Sequence, residues 1–202
     1  MNLSAEQIEK NWEKHLKIVD TFITGERKEK LKALYLDLSE EMVMAPASGK
    51  PTYHNAFAGG YVDHVNRVVH CALKTRALWE EMGASIDFTD EELIFCALHH
   101  DLGKLGTKEE LHYEPNESEW HVKNKGEVYT RNSNNSYMAI TDRTFFLLNS
   151  YGIQYNENEY FGIKLTDGMY DEDNVKYYKV FDVSKYLKSN IQFVLHWADH
   201  MS

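Results

Sequence analysis

Apolar residues recur every three or four positions over most of the chain, which is the spacing of one face of an α-helix. A first helix is predicted over residues 4–24, with Ser4 as its N-cap and Gly25 as its end. In the next predicted helix, one apolar face consists of Leu31, Leu34, Tyr35, Leu38 and Met42. Further helices are predicted at about residues 61–82, 89–103, 141–151, 157–167 and 187–198. The pattern therefore predicts an all-α protein.

Three stretches lack this helical spacing. Residues 45–60 are rich in proline and glycine and are predicted to form a loop, as are residues 168–178. Residues 106–135 are polar, and within them 120–122 and 127–129 are predicted to pair as a small β-hairpin. The expected fold is a helical bundle with one irregular insertion that contains this hairpin.

The composition limits the classes of function. With 202 residues, of which 43% are hydrophobic, the chain is predicted to form one domain. Its net charge of −10 disfavours long nucleic acids as partners, because basic surfaces bind them. A small phosphorylated substrate remains compatible, since a few local cations or a metal ion can bind it. Whether the protein forms a homo-oligomer is left open.

The sequence also predicts where the protein acts. No apolar run approaches the roughly 20 residues that a helix needs to cross a bilayer. The first residues, MNLSAEQIEKNWEKHL, lack the apolar stretch of a signal peptide. We therefore expect a cytoplasmic protein without a membrane partner.

Histidine and aspartate stand out on helices that are otherwise apolar. Consecutive helical residues lie about 100° apart, so the neighbours His100 and Asp101 can lean towards one point near a helix end. His64 and Asp199 belong to two other predicted helices. Such groups are costly to bury unless they are paired or bound to a cation. The candidate metal ligands are therefore His64, His100, Asp101 and Asp199.

Two imidazoles and two carboxylates form a mixed nitrogen and oxygen shell. Such a shell suits Mn, Fe, Co, Ni or Mg better than a structural thiolate zinc site. It also leaves positions open for water and for a phosphate oxygen. We expect one divalent metal, whose identity stays open among Mn, Co, Fe, Ni, Mg and Zn.

Three segments that carry these residues resemble the HD-domain superfamily of metal-dependent phosphohydrolases, whose ligand pattern is H…HD…D. They are Gly59–His64, Ala97–Lys104 and His196–Asp199, in that order along the chain. The resemblance covers about residues 54–200 and implies an all-helical fold and the hydrolysis of phosphate esters or nucleotides. It divides the predicted domain of residues 1–202 into an N-terminal helical pair, 1–45, and a metal-binding core, 54–200.

The chain departs from some members of that superfamily. Those members carry two further histidines between the doublet and the last aspartate and bind two or more metals. Here that interval contains only His112, His121 and His196, and two of these lie in the polar insertion. A single metal is therefore expected. No glutamate that would serve as a catalytic base follows the doublet, so the general base stays open.

Charged residues near the ligands are candidates for catalysis and substrate binding. Lys104 and Arg67 lie one helical turn from a predicted ligand and are expected to offset phosphate charge. Asp63 is a candidate acid or base, or a partner of a ligand histidine. The predicted catalytic residues are Asp101, Lys104, Arg67 and Asp63. The predicted substrate-binding residues are Lys104, Arg67, Lys108, Arg131 and Arg143.

The expected reaction is hydrolysis at phosphorus by a metal-activated water. The expected substrate is a nucleoside monophosphate or a deoxynucleoside triphosphate, and residues 106–137 are expected to form one wall of its pocket. Hydrolysis of a cyclic nucleotide or an alarmone is an open alternative. So is a sensor that binds a metal or a nucleotide without catalysis.

Overall fold

The protein consists mainly of helices in a computed structural model that describes residues 2–202. The α-helices are α1 (Ala5–Phe22), α2 (Gly25–Asp37), α3 (Ser39–Met44), α4 (Gly60–Glu81), α5 (Asp90–His99), α6 (Glu119–Lys125), α7 (Ile140–Ser150), α8 (Glu157–Lys164), α9 (Val175–Tyr178) and α10 (Ile191–His200). Two strands, β1 (Tyr113–Pro115) and β2 (Tyr129–Arg131), complete the regular structure together with short 3-10 turns at Leu102–Leu105, Gly168–Tyr170, Glu172–Asn174 and Val183–Lys185.

Contacts within the chain define two compact units. Unit 1 contains the residues up to Asn66 and the segment Asp101–Gln154, and unit 2 contains Arg67–His100 and Tyr155–Ser202. One border therefore falls inside α4 and another falls between His100 and Asp101. One HD-type domain over residues 1–202 stays a prediction.

In unit 1, α1 begins at the predicted N-cap. The Ser4 hydroxyl accepts a hydrogen bond from the backbone of Gln7, whose side chain accepts one from the backbone of Ser4. Ile23 is already extended, so α1 ends before Gly25. The prediction that Gly25 ends this helix is wrong, because Gly25 is the first residue of α2 and has a φ of +63°.

The second predicted helix is two helices that meet at Leu38. Its apolar face is nevertheless buried at all five predicted positions, Leu31, Leu34, Tyr35, Leu38 and Met42. The Ser39 hydroxyl donates a hydrogen bond to the Leu36 carbonyl, a local bond that competes with the helix. The apolar spacing therefore predicts the buried face correctly, but it does not predict the break between α2 and α3 at Leu38.

The 3-10 turn Leu102–Leu105 packs against α7 at Gly103. A Cβ on Gly103 would lie 2.1 Å from the Ile140 carbonyl oxygen, so this position has no room for a side chain. The Gly103 N–H donates a hydrogen bond of 2.9 Å to the Thr144 hydroxyl. This close approach fixes the backbone at Gly103. It thereby also fixes the positions of Asp101 and Lys104, which lie on either side of this glycine.

The polar insertion contains a hairpin, but its strands are not the predicted ones. β1 and β2 pair antiparallel, with Tyr113 opposite Arg131 and Pro115 opposite Tyr129. Residues 119–125, part of which was predicted as a strand, form α6. Ser118 caps this helix, and Gly126 ends it in the left-handed conformation. Since α6 contains no buried residue, it has no apolar face to reveal it in the sequence.

In unit 2, α5, α8 and α10 pack together. Thr89 forms a capping box with Glu92 at the start of α5. α8 approaches α5 closely at Gly162, which has no side chain. A Cβ at this position would lie only 2.6 Å from Cys96 Sγ. Residues 168–178 were predicted as a loop, but they contain two 3-10 turns and α9.

The expectation of a mainly helical protein is confirmed, since the described residues contain one two-stranded ribbon and otherwise helices, turns and loops. Within residues 2–202, none of the helices combines the length and the apolar character needed to cross a membrane.

Candidate metal centre

His64 and Asp101 form the centre of the candidate site in unit 1. His64 lies in the second turn of α4 and Asp101 lies just before the 3-10 turn, and both are buried. Nε2 of His64 is 3.4 Å from Oδ2 of Asp101. Two ligands of one ion, each at about 2.1 Å, have a similar separation when they subtend a roughly tetrahedral angle. The pair is therefore spaced as two ligands of one cation would be.

A third donor, His54, belongs to the same cluster. Nitrogen atoms of His54 and His64 and a carboxylate oxygen of Asp101 all lie within 4.8 Å of one another. The His54 and His64 rings are 4.3 Å apart between centroids, with an angle of 32° between their planes. The sequence did not reveal His54 as a ligand, because it lies in the loop rich in proline and glycine and outside any helical pattern.

Lys104 neutralises part of the charge of this cluster. Its Nζ donates a hydrogen bond of 2.6 Å to Oδ2 of Asp101. The two side chains are only 14% and 11% exposed, so water screens their interaction weakly. The sequence predicts Lys104 one helical turn after the ligand His100, and in the structure its ammonium contacts the predicted ligand Asp101.

Asp63 binds α1 with one carboxylate oxygen and the loop that carries His54 with the other. Oδ1 accepts a hydrogen bond of 3.0 Å from the Asn11 side chain. Oδ2 accepts one of 2.9 Å from the side chain of Asn55, the residue after His54. These bonds favour a positioning role for Asp63, whereas its predicted catalytic role stays a prediction.

The other two predicted ligands, His100 and Asp199, lie together in unit 2. Nδ1 of His100 is 2.9 Å from the Ala97 carbonyl oxygen and must donate a proton to it. In the neutral imidazole, Nε2 then presents a lone pair, and it lies 3.5 Å from Oδ1 of Asp199. A lone pair that faces a carboxylate needs a proton or a cation nearby. The chemistry of this donor pair therefore also fits a metal.

The remaining predicted residues have varied surroundings. Arg67 is exposed on α4. Lys108 forms an ion pair with Asp37. Arg131 donates a hydrogen bond of 2.9 Å to the Asn135 carbonyl, and the buried Arg143 donates one of 2.5 Å to the Ser136 carbonyl. Their roles in substrate binding stay predictions.

A cavity of about 450 Å³ opens in unit 1 beside Lys104. Its walls include the cations Lys104 and Lys108, the acidic residues Glu40 and Glu41, the rings of Tyr113 and Tyr129, and apolar side chains such as Leu105. Both tyrosines come from the ribbon β1–β2. The insertion therefore contributes to a cavity wall. That this cavity is a substrate pocket stays a prediction.

His112 is a neutral group in the wall of this cavity. Burial, together with the charges of Arg143, Arg131 and Lys104, lowers the pKa of His112 to about 4. Its Nδ1 is buried without a hydrogen-bond partner. A ligand atom in the cavity is one group that could satisfy it.

Comparisons with models of known protein families, with curated proteins and with solved structures found no match.

Proposed function

We propose that the protein is a divalent-metal-dependent phosphohydrolase of the HD-domain type that acts on a nucleotide. The observation that carries the proposal is the buried cluster of His64, Asp101 and Lys104 beside a cavity. An imidazole and a carboxylate supply metal ligands, and an ammonium supplies a contact for phosphate.

The donor atoms fit one divalent ion in unit 1. His64 and Asp101 would hold it, and their buried, mixed nitrogen and oxygen set matches the preferences of Mn, Fe, Co, Ni, Mg and Zn. Such an ion supplies Lewis acidity towards phosphate oxygens and towards water. The sequence predicts that His100 and Asp199 are ligands as well.

Lys104 is the residue of the chain that would bind and orient the phosphate. An ammonium carries three donors, so its bond to Asp101 does not exhaust it. Lys104 also lines the cavity, so a phosphoryl group bound there would lie near the ammonium that offsets its negative charge. Lys104 thus connects the proposed metal centre with the proposed substrate pocket.

The cavity fits a nucleotide in size and lining. Its volume of about 450 Å³ lies in the ordinary range of small-molecule sites. The rings of Tyr113 and Tyr129 offer stacking surfaces for a base, and Lys108 offers a second cation. The proposed substrates are a nucleoside monophosphate or a deoxynucleoside triphosphate. The sequence predicts that the protein is cytoplasmic.

Phosphate release by metal-stripped and Mn²⁺-loaded protein tests this function. The panel contains nucleoside monophosphates, deoxynucleoside triphosphates, cyclic nucleotides and an alarmone. Phosphate, triphosphate and pyrophosphate are detected as released products, and ring opening of a cyclic nucleotide is detected as the nucleoside monophosphate that it forms. We expect hydrolysis of a monophosphate or a triphosphate by the loaded protein only. Selective hydrolysis of a cyclic nucleotide or an alarmone would replace the proposed substrate. Tight nucleotide binding without turnover would instead indicate a sensor.

Asp199→Asn tests the part of the site that rests on the sequence. The substitution keeps the side chain's size and removes its charge, so α10 should remain folded. If Asp199 is a ligand, metal affinity falls together with activity. Unchanged affinity would restrict the ligand set to the cluster in unit 1.

A further inference from the structure

His54 was not among the ligands that the sequence suggested, yet it lies in the cluster of His64 and Asp101. The three donor atoms lie within 4.8 Å of one another, and the rings of His54 and His64 are 4.3 Å apart. Two imidazoles placed this closely beside a carboxylate present three donors to one small volume. We propose that His54 is a third protein ligand of the metal that His64 and Asp101 hold, an inference that rests on the proposed metal centre.

The loop that carries His54 is held by its own side chains. The Ser48 hydroxyl donates a hydrogen bond of 2.5 Å to the His54 carbonyl. Asn55 has a φ of +45°, in the left-handed region that asparagine adopts more readily than most residues other than glycine. Its carbonyl accepts hydrogen bonds from the backbone of Ala47 and Phe57, at 3.0 and 2.9 Å.

The same loop is attached to the helix that carries His64. The Asn55 side chain donates hydrogen bonds to the Gly60 carbonyl, at 3.1 Å, and to Asp63 Oδ2, at 2.9 Å. A Cβ on Gly60 would lie 2.2 Å from the Asn55 carbonyl oxygen, so only glycine allows this approach. These contacts fix the residue after His54 to the first turn of α4. His54 is thereby held beside His64.

The additional imidazole of His54 has a measurable consequence. Each neutral imidazole contributes a nitrogen donor, which favours cations such as Zn, Fe or Ni over Mg. The pulsed EPR spectrum of bound Cu²⁺ counts coordinated imidazoles directly. Metal binding and ligand number can therefore be measured without an activity assay.

The test compares the wild-type chain with His54→Ala, using Mn²⁺ affinity and the pulsed EPR of bound Cu²⁺. We expect His54→Ala to weaken Mn²⁺ binding by at least about tenfold, the scale set by losing a residue that orients a ligand. The spectrum should lose one imidazole. The control is His70→Ala, because His70 is exposed on α4, and it should change neither readout.

Three outcomes separate this inference from the proposed function. If His54→Ala keeps the wild-type affinity and imidazole number, His54 is not a ligand, while the centre of His64 and Asp101 stands. If wild type binds neither ion, both proposals fail. If His54→Ala does not fold, His54→Gln replaces it: an unchanged imidazole number in that variant overturns the inference, and a loss of one supports it.

Discussion

Nζ of Lys104 lies 2.6 Å from Oδ2 of Asp101, the oxygen that is also 3.4 Å from Nε2 of His64. One carboxylate oxygen thus faces both a fixed cation and an imidazole. In a buried setting this arrangement lowers the cost of the carboxylate's charge. It also places an ammonium directly beside the proposed metal, where the charge of a phosphate would be offset.

Lys104→Ala should reduce turnover much more than metal affinity. The substitution removes the phosphate contact but leaves the donor atoms of His64 and Asp101. We expect kcat to fall by about a hundredfold, the scale of losing one preorganised contact to developing charge. Steady-state kinetics and Mn²⁺ titration of the same samples measure the two effects, and Lys10→Ala, at an exposed position of α1, is the control. An unchanged kcat would remove Lys104 from the site.

Gly103→Ala should destabilise the protein. The added Cβ would lie 2.1 Å from the Ile140 carbonyl oxygen, so the 3-10 turn must move away from α7. We expect a loss of more than about 2 kcal/mol in the free energy of unfolding, together with weaker metal binding. Gly25→Ala is a matched control, because Gly25 has a φ of +63° and no atom within 4 Å of an added Cβ.

In Gly25→Ala the free energy of unfolding should fall by only about 1–2 kcal/mol, which is the cost of placing alanine in the left-handed conformation. Its metal affinity should be unchanged. Denaturant unfolding measures both variants. If Gly103→Ala were no less stable than Gly25→Ala, the close packing of the turn on α7 would be wrong.

The fold and the site were predictable to different degrees. Apolar spacing and caps such as Ser4 and Thr89 predict the long helices, because these depend on local sequence. Apolar spacing does not predict α6, because this helix has only seven residues and buries none of them, although its cap Ser118 and its end Gly126 are visible in the sequence. His54 could not be predicted from spacing, because its approach to His64 depends on the path of a loop.

His15 should make folding sensitive to acid. It is fully buried, stacked on Trp12, 5.1 Å from the Tyr35 ring and hydrogen-bonded to Asn66. Burial lowers the pKa of His15 from 6.5 to about 4, against an opposing effect of the Asn66 bond. Between these values the unfolded chain binds a proton that the folded protein does not. The free energy of unfolding should therefore fall as the pH falls through this window, by about 3 kcal/mol.

Denaturant unfolding of wild type and His15→Gln at neutral pH and near pH 4 measures this effect. The variant cannot take up this proton, so its stability should depend less on pH, although it starts lower. His70→Gln, at an exposed position, should retain the wild-type dependence. An identical slope in His15→Gln and wild type would contradict the assignment.

The ribbon should determine substrate preference through its tyrosines and not through α6. Tyr113→Leu keeps apolar volume but removes a stacking ring from the cavity. We expect KM for a nucleotide to rise about tenfold, and KM for ribose 5-phosphate, which has no base, to stay unchanged. Replacing residues 116–128 with a short turn should alter neither, because α6 contains no buried residue. Equal effects of Tyr113→Leu on both substrates would argue against base stacking.

The most direct test of the metal-dependent hydrolysis is a Mn²⁺ titration of the stripped protein that follows bound Mn²⁺ by EPR and phosphoester hydrolysis in the same samples. The account predicts that both rise together and saturate at one ion per chain, and that Asp101→Asn loses both while remaining folded. Hydrolysis without Mn²⁺, or full binding and activity in Asp101→Asn, would contradict it.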